Sequence, residues 1–491
     1  MKRAFVTLFR TAPVLLVILL AAGGVAAGLR LLPPAPQGDG VLQLTVLGHE
    51  GAPLTPVRAA LIAALKTTNL RVAMTEWAVV DGVRIFADGV LRIECQSGGE
   101  GLGSPLFFAA REGSLPPEVT VSNTAGLRSA VAEAKPGSRI LLAAGTYPGG
   151  FYFSNVRGEA NLPIVIAGVD PQNPPVIQGG GNGMQFSDAA WIELRDLVFV
   201  GATGNGLNID DGGTFETPSR QVFLHRLRIS DVGPNGNRDA IKLSGVVDFR
   251  IEGCTLERWG TGGSGVDLVG CHGGIIESNV FRHGAAAASG GANGVQTKGG
   301  SRNVVVRRNR FESVGARAVN IGGSTGLEFF RPPLEPDGQH AEARDIRVEG
   351  NTFLGSTAPI AFVGVDGARV RFNTIYRPGR WAIRILQETT APGFVACRNG
   401  QFSDNIVVFH SDEWSSGGVN IGPNTAPLTF QFTRNWWYCL DDPTRSRPVL
   451  PVTETGGVYG QSPQFRDAAN GDLRLEPGSP ALGFGAEALP Q

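Results

Sequence analysis

The sequence predicts an all-β fold: a single-stranded right-handed parallel β-helix over residues 121–485, with an N-terminal capping helix, preceded by a small α+β or β-rich accessory domain. Three observations predict it. A chain of 491 residues with 69 Gly, 32 Pro and 42% apolar side chains has the composition of a turn-rich fold of many short strands. The segments RIEGCTL, IIESNVF, VVRRNRF, RVEGNTF, VRFNTI, FSDNIV and FTRNWW align on one column, Cys254, Asn279, Asn309, Asn351, Asn373, Asn405 and Asn435, flanked on both sides by apolar columns. Their spacing of roughly 22 to 42 residues suits a solenoid whose loops vary while its strands stack. A second strand family, AIKLSG, GVDLVG, GVQTKG, AVNIGG, PIAFVG, AIRILQ and GVNIGP, precedes these segments, each with apolar residues on either side of one outward position.

From the N-terminus, residues 1–32 read as a signal peptide or a membrane anchor: Lys2, Arg3 and Arg10 precede an apolar run from Ala12 to Leu29, close to the 18 to 20 residues or so that span a bilayer. Both readings imply export, to a secreted, periplasmic or envelope-anchored location. Residues 33–40 form a Pro/Gly linker. Residues 41–115 carry alternating runs, VLQLTV and GVRIFADGVLRIEC, around a helical stretch, TPVRAALIAALKT, which gives the accessory domain. In TAGLRSAVAEAKPGSRILL a short amphipathic helix covers the open edge of the first coil before Pro-Gly leads into a strand. Stacked amides in the asparagine column satisfy polar groups that a buried turn would leave unpaired. The five cysteines show no metal-ligand spacing, and Cys397 and Cys439 are a candidate bridge in an exported protein. A formal net charge of −1 gives no bulk electrostatic ground for binding nucleic acid. A monomer is expected.

The outward column reads Lys242, Asp267, Gln296, Asn320, Ala361, Arg384 and Asn420. Lys298 stands two residues beyond Gln296 on the same face, about 6 to 7 Å along the strand. A lysine flanked by amides and arginine suits β-elimination on a uronic-acid polysaccharide, which needs a base for the proton beside the carboxylate and something positive to neutralise that carboxylate. Lys298 is the candidate base, its ammonium pKa lowered by neighbouring positive charge or desolvation. Arg317, Gln296 and Asn320 are candidates to hold the carboxylate, and Lys242, Asp267 and Arg384 extend the substrate surface. A structural reading stands beside this: Lys242 and Asp267 as an ion pair between coils, and Lys298 as a solvated lysine. The excursion GSTGLEFFRPPLEPDGQHAEAR, residues 323–344, follows the strand of Asn320 and offers Phe329, Phe330, Arg331 and His340 as one wall of a groove, or a packed loop over the coil. A glycoside hydrolase would need two carboxylates flanking a bond, and Asp239 and Asp267 are about 11 Å apart on regular strands. A non-catalytic surface protein that binds glycans is the third reading.

VQTKGGSRNVVVRRNRF resembles the segment of chondroitinase B and its alginate lyase relatives in which the proton-abstracting lysine precedes a strand ending in an Asn-x-Phe turn. VEGNTFLG and the capping segment look similar too, and SPQFRDAANGDLRLEPGSPALGFG resembles the last coil of such proteins. The resemblance to the pectate-lyase-like β-helix superfamily spans about residues 120–485 and implies a lyase acting on an acidic polysaccharide with Lys298 as base. The arginine those enzymes carry in the next coil is Ile321 here, with Arg317 or Arg331 as candidate replacements. Their calcium-binding glutamates correspond to Gly291 and Asn293 here. Calcium is therefore an open cofactor, and no other is implied.

Overall fold

The computed structural model describes residues 116, 118–160, 162–284 and 291–490, and ahead of them only the backbone of seven strands between Val17 and Arg111. The helical stretch expected within residues 41–115 and the basic residues of the N-terminus lie outside the described residues. Among the described residues no helix is long and apolar enough to cross a membrane.

From Val119 the chain winds into a right-handed parallel β-helix with three sheets of ten, twelve and twelve strands, each strand paired in parallel with its counterpart one coil away. One coil shows the plan. Asn293–Lys298 lies on the ten-stranded sheet, Gly299 and Gly300 turn the chain, and Ser301–Arg307 lies on the long-strand sheet. Arg308 and Asn309 turn it again, Arg310–Glu312 adds to the short-strand sheet, and Arg317–Gly322 returns to the first sheet one coil on. The helix Thr124–Ala132, N-capped by the Asn123 side chain, buries Leu127 and Val131 over the first coil.

The second turn explains the asparagine column. The residue before each column position is left-handed, with φ of 56° at Ser278, 53° at Arg308, 55° at Phe372 and 54° at Arg434, a conformation that costs a non-glycine residue roughly 1–2 kcal/mol. Hydrogen bonds offset it. The Asn309 side-chain oxygen accepts the Asn279 backbone N–H at 3.0 Å, while its amide donates to Ile276 O at 2.8 Å and to Asn351 Oδ1 at 3.0 Å. The pattern runs from the Cys254 N–H to Asn435, where Glu454 Oε1 accepts both the backbone and side-chain N–H and closes the ladder. Beside it Phe281, Phe311 and Phe353 stack at 4.6 and 4.9 Å.

Two expectations change at the C-terminal end. The last parallel strand is Val458–Tyr459, and the segment after it forms an antiparallel pair, Phe465–Asp467 with Asp472–Leu475, instead of another coil. That tail doubles back: Phe484 meets Trp436 edge-on, Gly485 N–H reaches Asp404 O, Ala486 N–H reaches Thr374 Oγ1, and Arg310 donates to Gly471 O. Cys397 and Cys439 are both buried and free, as are Cys254 and Cys271. Cys439 ends a strand of the short-strand sheet while Cys397 pairs through its backbone with Thr425 outside that sheet, and the candidate bridge does not form.

Candidate functional site

The outward column of the ten-stranded sheet is in register from coil to coil: Lys242 opposite Asp267, Asp267 opposite Gln296, Gln296 opposite Asn320, Asn320 opposite Ala361, Ala361 opposite Arg384, and Arg384 opposite Asn420. It also extends back through Asn208 and Gln185 to Tyr152, a residue that is 56% exposed.

The middle of this column is a floor rather than an open surface. Asp267, Gln296 and Asn320 are all buried. What remains accessible is a layer of cation tips: side-chain exposure is 24% at Lys242, 13% at Lys298 and 16% at Arg317. The acids Asp239 and Asp267 lie beneath the two lysines, while Glu388, the partner of Arg317, is exposed. Lys242 Nζ stands 2.7 Å from Asp267 Oδ2 and 3.4 Å from Asp239 Oδ2, and Lys298 Nζ is 3.2 Å from Asp267 Oδ1. Asp267 Oδ1 makes no hydrogen bond, so the Lys298 contact is an ion pair without hydrogen-bond alignment. The charge beside Lys298 is thus a carboxylate, where the sequence reading placed positive charge.

Asp239 was the least visible member of this group. It stands three residues before the column, where its Oδ1 accepts the Ser264 N–H at 2.7 Å and its own N–H donates to Asn205 Oδ1. Burial, and then the Asp267 charge, push its carboxyl up to about 6. Burial works to lower the Lys242 ammonium, yet Asp267 and Asp239 outweigh it and hold its pKa above that of a free lysine. Both carboxylates sit on one ammonium, closer than the separation expected on regular strands. They are nonetheless covered, which removes the access a glycoside hydrolase would need.

The same three-residue spacing recurs along the face. Asn293 donates to Gln296 Oε1 at 2.8 Å, Asn320 donates to the same oxygen at 3.2 Å, and Arg317 Nη1 donates to Asn320 Oδ1 at 3.0 Å while Nη2 pairs with Glu388 at 2.6 Å. Arg384 lies two coils further on, donating to Asn420 Oδ1 and standing 4.8 Å from the Trp381 ring. Burial, and then the Arg317 charge, lower its pKa. Lys298 and Gln296 flank Gly323, the first residue of the long excursion: a Cβ there would come within 3.4 Å of Lys298 Cβ and 3.1 Å of Gln296 Nε2.

Glu342 fastens the surroundings. It is fully buried, and its Oε2 accepts Gly299 N–H at 2.9 Å and Thr325 Oγ1 at 2.8 Å, while Oε1 accepts Thr325 N–H at 3.0 Å and the Thr389 hydroxyl. One carboxylate thereby joins the residue after Lys298, the start of the excursion and the residue after Glu388.

Two expected site residues stand elsewhere. Arg331 turns away over the Gly-rich corner and pairs with Asp211 at 2.8 Å, its backbone carbonyl accepting from His272 Nε2 at 3.0 Å. His340 packs its ring against Phe394 and hydrogen-bonds Glu335 O within the loop, and Phe330 is buried while Phe329 is exposed. The excursion covers the corner instead of walling the outward column. As for calcium, the Asn293 amide is engaged by Gln296 and the Lys242 ammonium fills the space between Asp239 and Asp267. Among the described residues no group of three or more His, Cys, Asp or Glu is placed to hold a metal ion. These residues do not fit calcium.

No protein-family model matches the chain, and no curated protein sequence matches it. Solved structures do. The PL6 family polysaccharide lyase Pedsa3628 from Pseudopedobacter saltans aligns over 76% of this chain and 99% of its own at 13% identity and a TM-score of 0.46. An alginate lyase from Paenibacillus sp. str. FPU-7 aligns over 63% of this chain and 96% of its own at 17% identity and a TM-score of 0.43. Pectate lyase Pel9A aligns over 73% and 85% at 13% identity and a TM-score of 0.43. These are likenesses of fold.

Proposed function

We propose that this protein is an exported polysaccharide lyase that cleaves a uronic-acid-containing chain by β-elimination, the chain lying along the ten-stranded sheet. One observation carries the reading: the accessible tips of Lys242 and Lys298 are cations whose balancing carboxylates, Asp239 and Asp267, are buried beneath, and Arg317 adds a third cation paired with the exposed Glu388, so the face turned to a ligand favours an anion. Arg317, oriented by Glu388 and Asn320, offers a planar fork to a substrate carboxylate. Positive charge there stabilises the electron density that moves onto the carboxylate as the neighbouring proton leaves. Lys298 takes that proton after passing its own to the Asp267 carboxylate, 3.2 Å away, which is coupled through Lys242 to Asp239, whose carboxyl burial pushes up to about 6. It then hands the abstracted proton to the leaving glycosidic oxygen. One C–H and one C–O bond break, a C=C and an O–H form, and the lysine, left neutral, takes back the proton it lent to Asp267 and ends as it began.

The test is the ultraviolet absorbance of the unsaturated uronate product, followed on a panel of uronic-acid polysaccharides. A rise that Lys298→Ala reduces by about 10²–10⁴ supports elimination with Lys298 as base. A flat signal across the panel with glycan binding intact would replace it with the second reading, a non-catalytic glycan-binding protein, which the Lys298–Asp267 ion pair favours.

A further inference from the structure

The excursion that leaves the outward column builds a separate cavity. Arg331 is drawn across the corner by Asp211, and its side chain lies over Gly270, where φ is +61° and a Cβ would come within 2.5 Å of Arg331 Cβ, so glycine is required there. Between this strap, the 212–218 loop and the edge of the long-strand sheet lies a cavity of about 370 Å³, lined by Phe215, Asp248, His272, Arg302, Arg331 and neighbouring backbone. That is within the range of small-ligand sites, about 300–1,000 Å³.

Its lining has unspent capacity of a particular kind. Asp211 and Arg331 neutralise one another. Arg302, in register with His272, is exposed and has no acidic partner among the described residues. The His272 ring presents Nε2 to two carbonyl oxygens, Gly300 O and Arg331 O, so that nitrogen carries the proton and Nδ1 is left as an acceptor. Among the described residues Asp248 accepts one side-chain hydrogen bond, from Gln221 Nε2 at 3.3 Å, with the Arg220 charge nearby. Phe215 is half-buried and contributes an aromatic wall. One free cation, two acceptors for hydroxyl groups and an aromatic wall are what a single carboxylate-bearing sugar ring asks of a site: the carboxylate for Arg302, ring hydroxyls for Asp248 and His272, the apolar ring face for Phe215.

We infer that this corner cavity is a second, non-catalytic binding site for one uronate residue of the polysaccharide, distinct from the outward column and assembled by the excursion. The inference takes its sugar class from the proposed function and its location from the cavity alone. The excursion then serves to hold a second stretch or a neighbouring chain of substrate while the outward column works.

Calorimetric titration of the purified chain with trigalacturonate, and with maltotriose as the uncharged control, tests it. The expected result is two binding events for trigalacturonate in the native protein and one in Arg302→Ala or Phe215→Ala, with product release from the trisaccharide unchanged. Asn320→Ala should remove the other event. If the lyase reading fails, the native protein gives no product and a single event that Arg302→Ala abolishes and Asn320→Ala leaves in place, and the cavity stands by itself. Affinity and stoichiometry unchanged in both Arg302→Ala and Phe215→Ala, or maltotriose binding within roughly tenfold of trigalacturonate, overturns the inference.

Discussion

Replacing Glu342 by Gln changes one atom of the chain and tests how the candidate site is held. Each carboxylate oxygen accepts one backbone N–H and one hydroxyl: Oε2 from Gly299 and Thr325 Oγ1, Oε1 from Thr325 N–H and Thr389 Oγ1. A glutamine has one acceptor oxygen. Whichever way its amide turns, the NH₂ group faces a backbone N–H that cannot reverse its role, while the hydroxyls can rotate to accept. One buried donor is therefore orphaned, at about 1–3 kcal/mol, and the bonds that survive lose the charge assistance worth roughly another 1 kcal/mol. The expected loss is about 2–4 kcal/mol, read from the urea midpoint at an unchanged m-value. Hydrogen exchange should report the same event locally, with the Gly299 or Thr325 amide accelerated while the asparagine ladder keeps its protection. Because Gly299 follows Lys298, turnover should fall with the conservative change although Glu342 meets no substrate. A midpoint within about 0.5 kcal/mol of native, with both amides still protected, would refute the reasoning.

Three further outcomes are expected. Asn351→Ala removes the acceptor of the Asn309 N–H and the donor to Val306 O, both buried, and should lower stability by about 2–5 kcal/mol in denaturant titration. Asp239 has a folded pKa of about 6 against 3.8 when unfolded, so its protonation stabilises the fold below about pH 4 and that contribution disappears as pH rises through about 6. Asp239→Asn keeps the acceptor for Ser264, so the native-minus-variant stability difference should fall across this window and be flat above it. Arg317→Ala should lower kcat/KM for a uronate polymer by about 10²–10³ while leaving the urea midpoint within about 1 kcal/mol, since its ion pair with Glu388 is partly exposed.

Much of the fold was legible because a solenoid repeats its demands. Asn279, Asn309 and Asn351 fall in one column of the sequence because each must meet the next in one column of the structure, and the alternation around Gln296 and Asn320 marks which side chains face outward. The candidate site was legible only as a series of outward positions. Sequence alternation separates inside from outside but says nothing of depth, so Asp267 and Asn320 read as surface when Lys298, Lys242 and Arg317 in fact lie above them. Asp239 read as a carboxylate about 11 Å from Asp267 on regular strands, although a polar pair three residues apart recurs as Asn293 with Gln296 and Arg317 with Asn320 and was a readable sign that it meets Lys242. Tyr152 was missed because its coil lacks the asparagine that anchored the alignment. The path of the excursion was beyond reach: Arg331 meets Asp211 across 120 residues of chain, and no local pattern encodes that direction.

The doubled-back tail has a consequence for the order in which the molecule is made and taken apart. A solenoid stabilised only between neighbours unravels from its ends, one coil at a time. Here the final stretch is sewn across the coils of Asn309, Asn351, Asn373, Asn405 and Asn435, through Arg310, Gly350, Thr374, Asp404 and Trp436. As the chain leaves the ribosome each coil has its predecessor to settle on, and the segment that follows the coils then binds the row together like the cord on a stack of plates. A pull applied beyond residue 485 must strip that cord before it can peel a single coil.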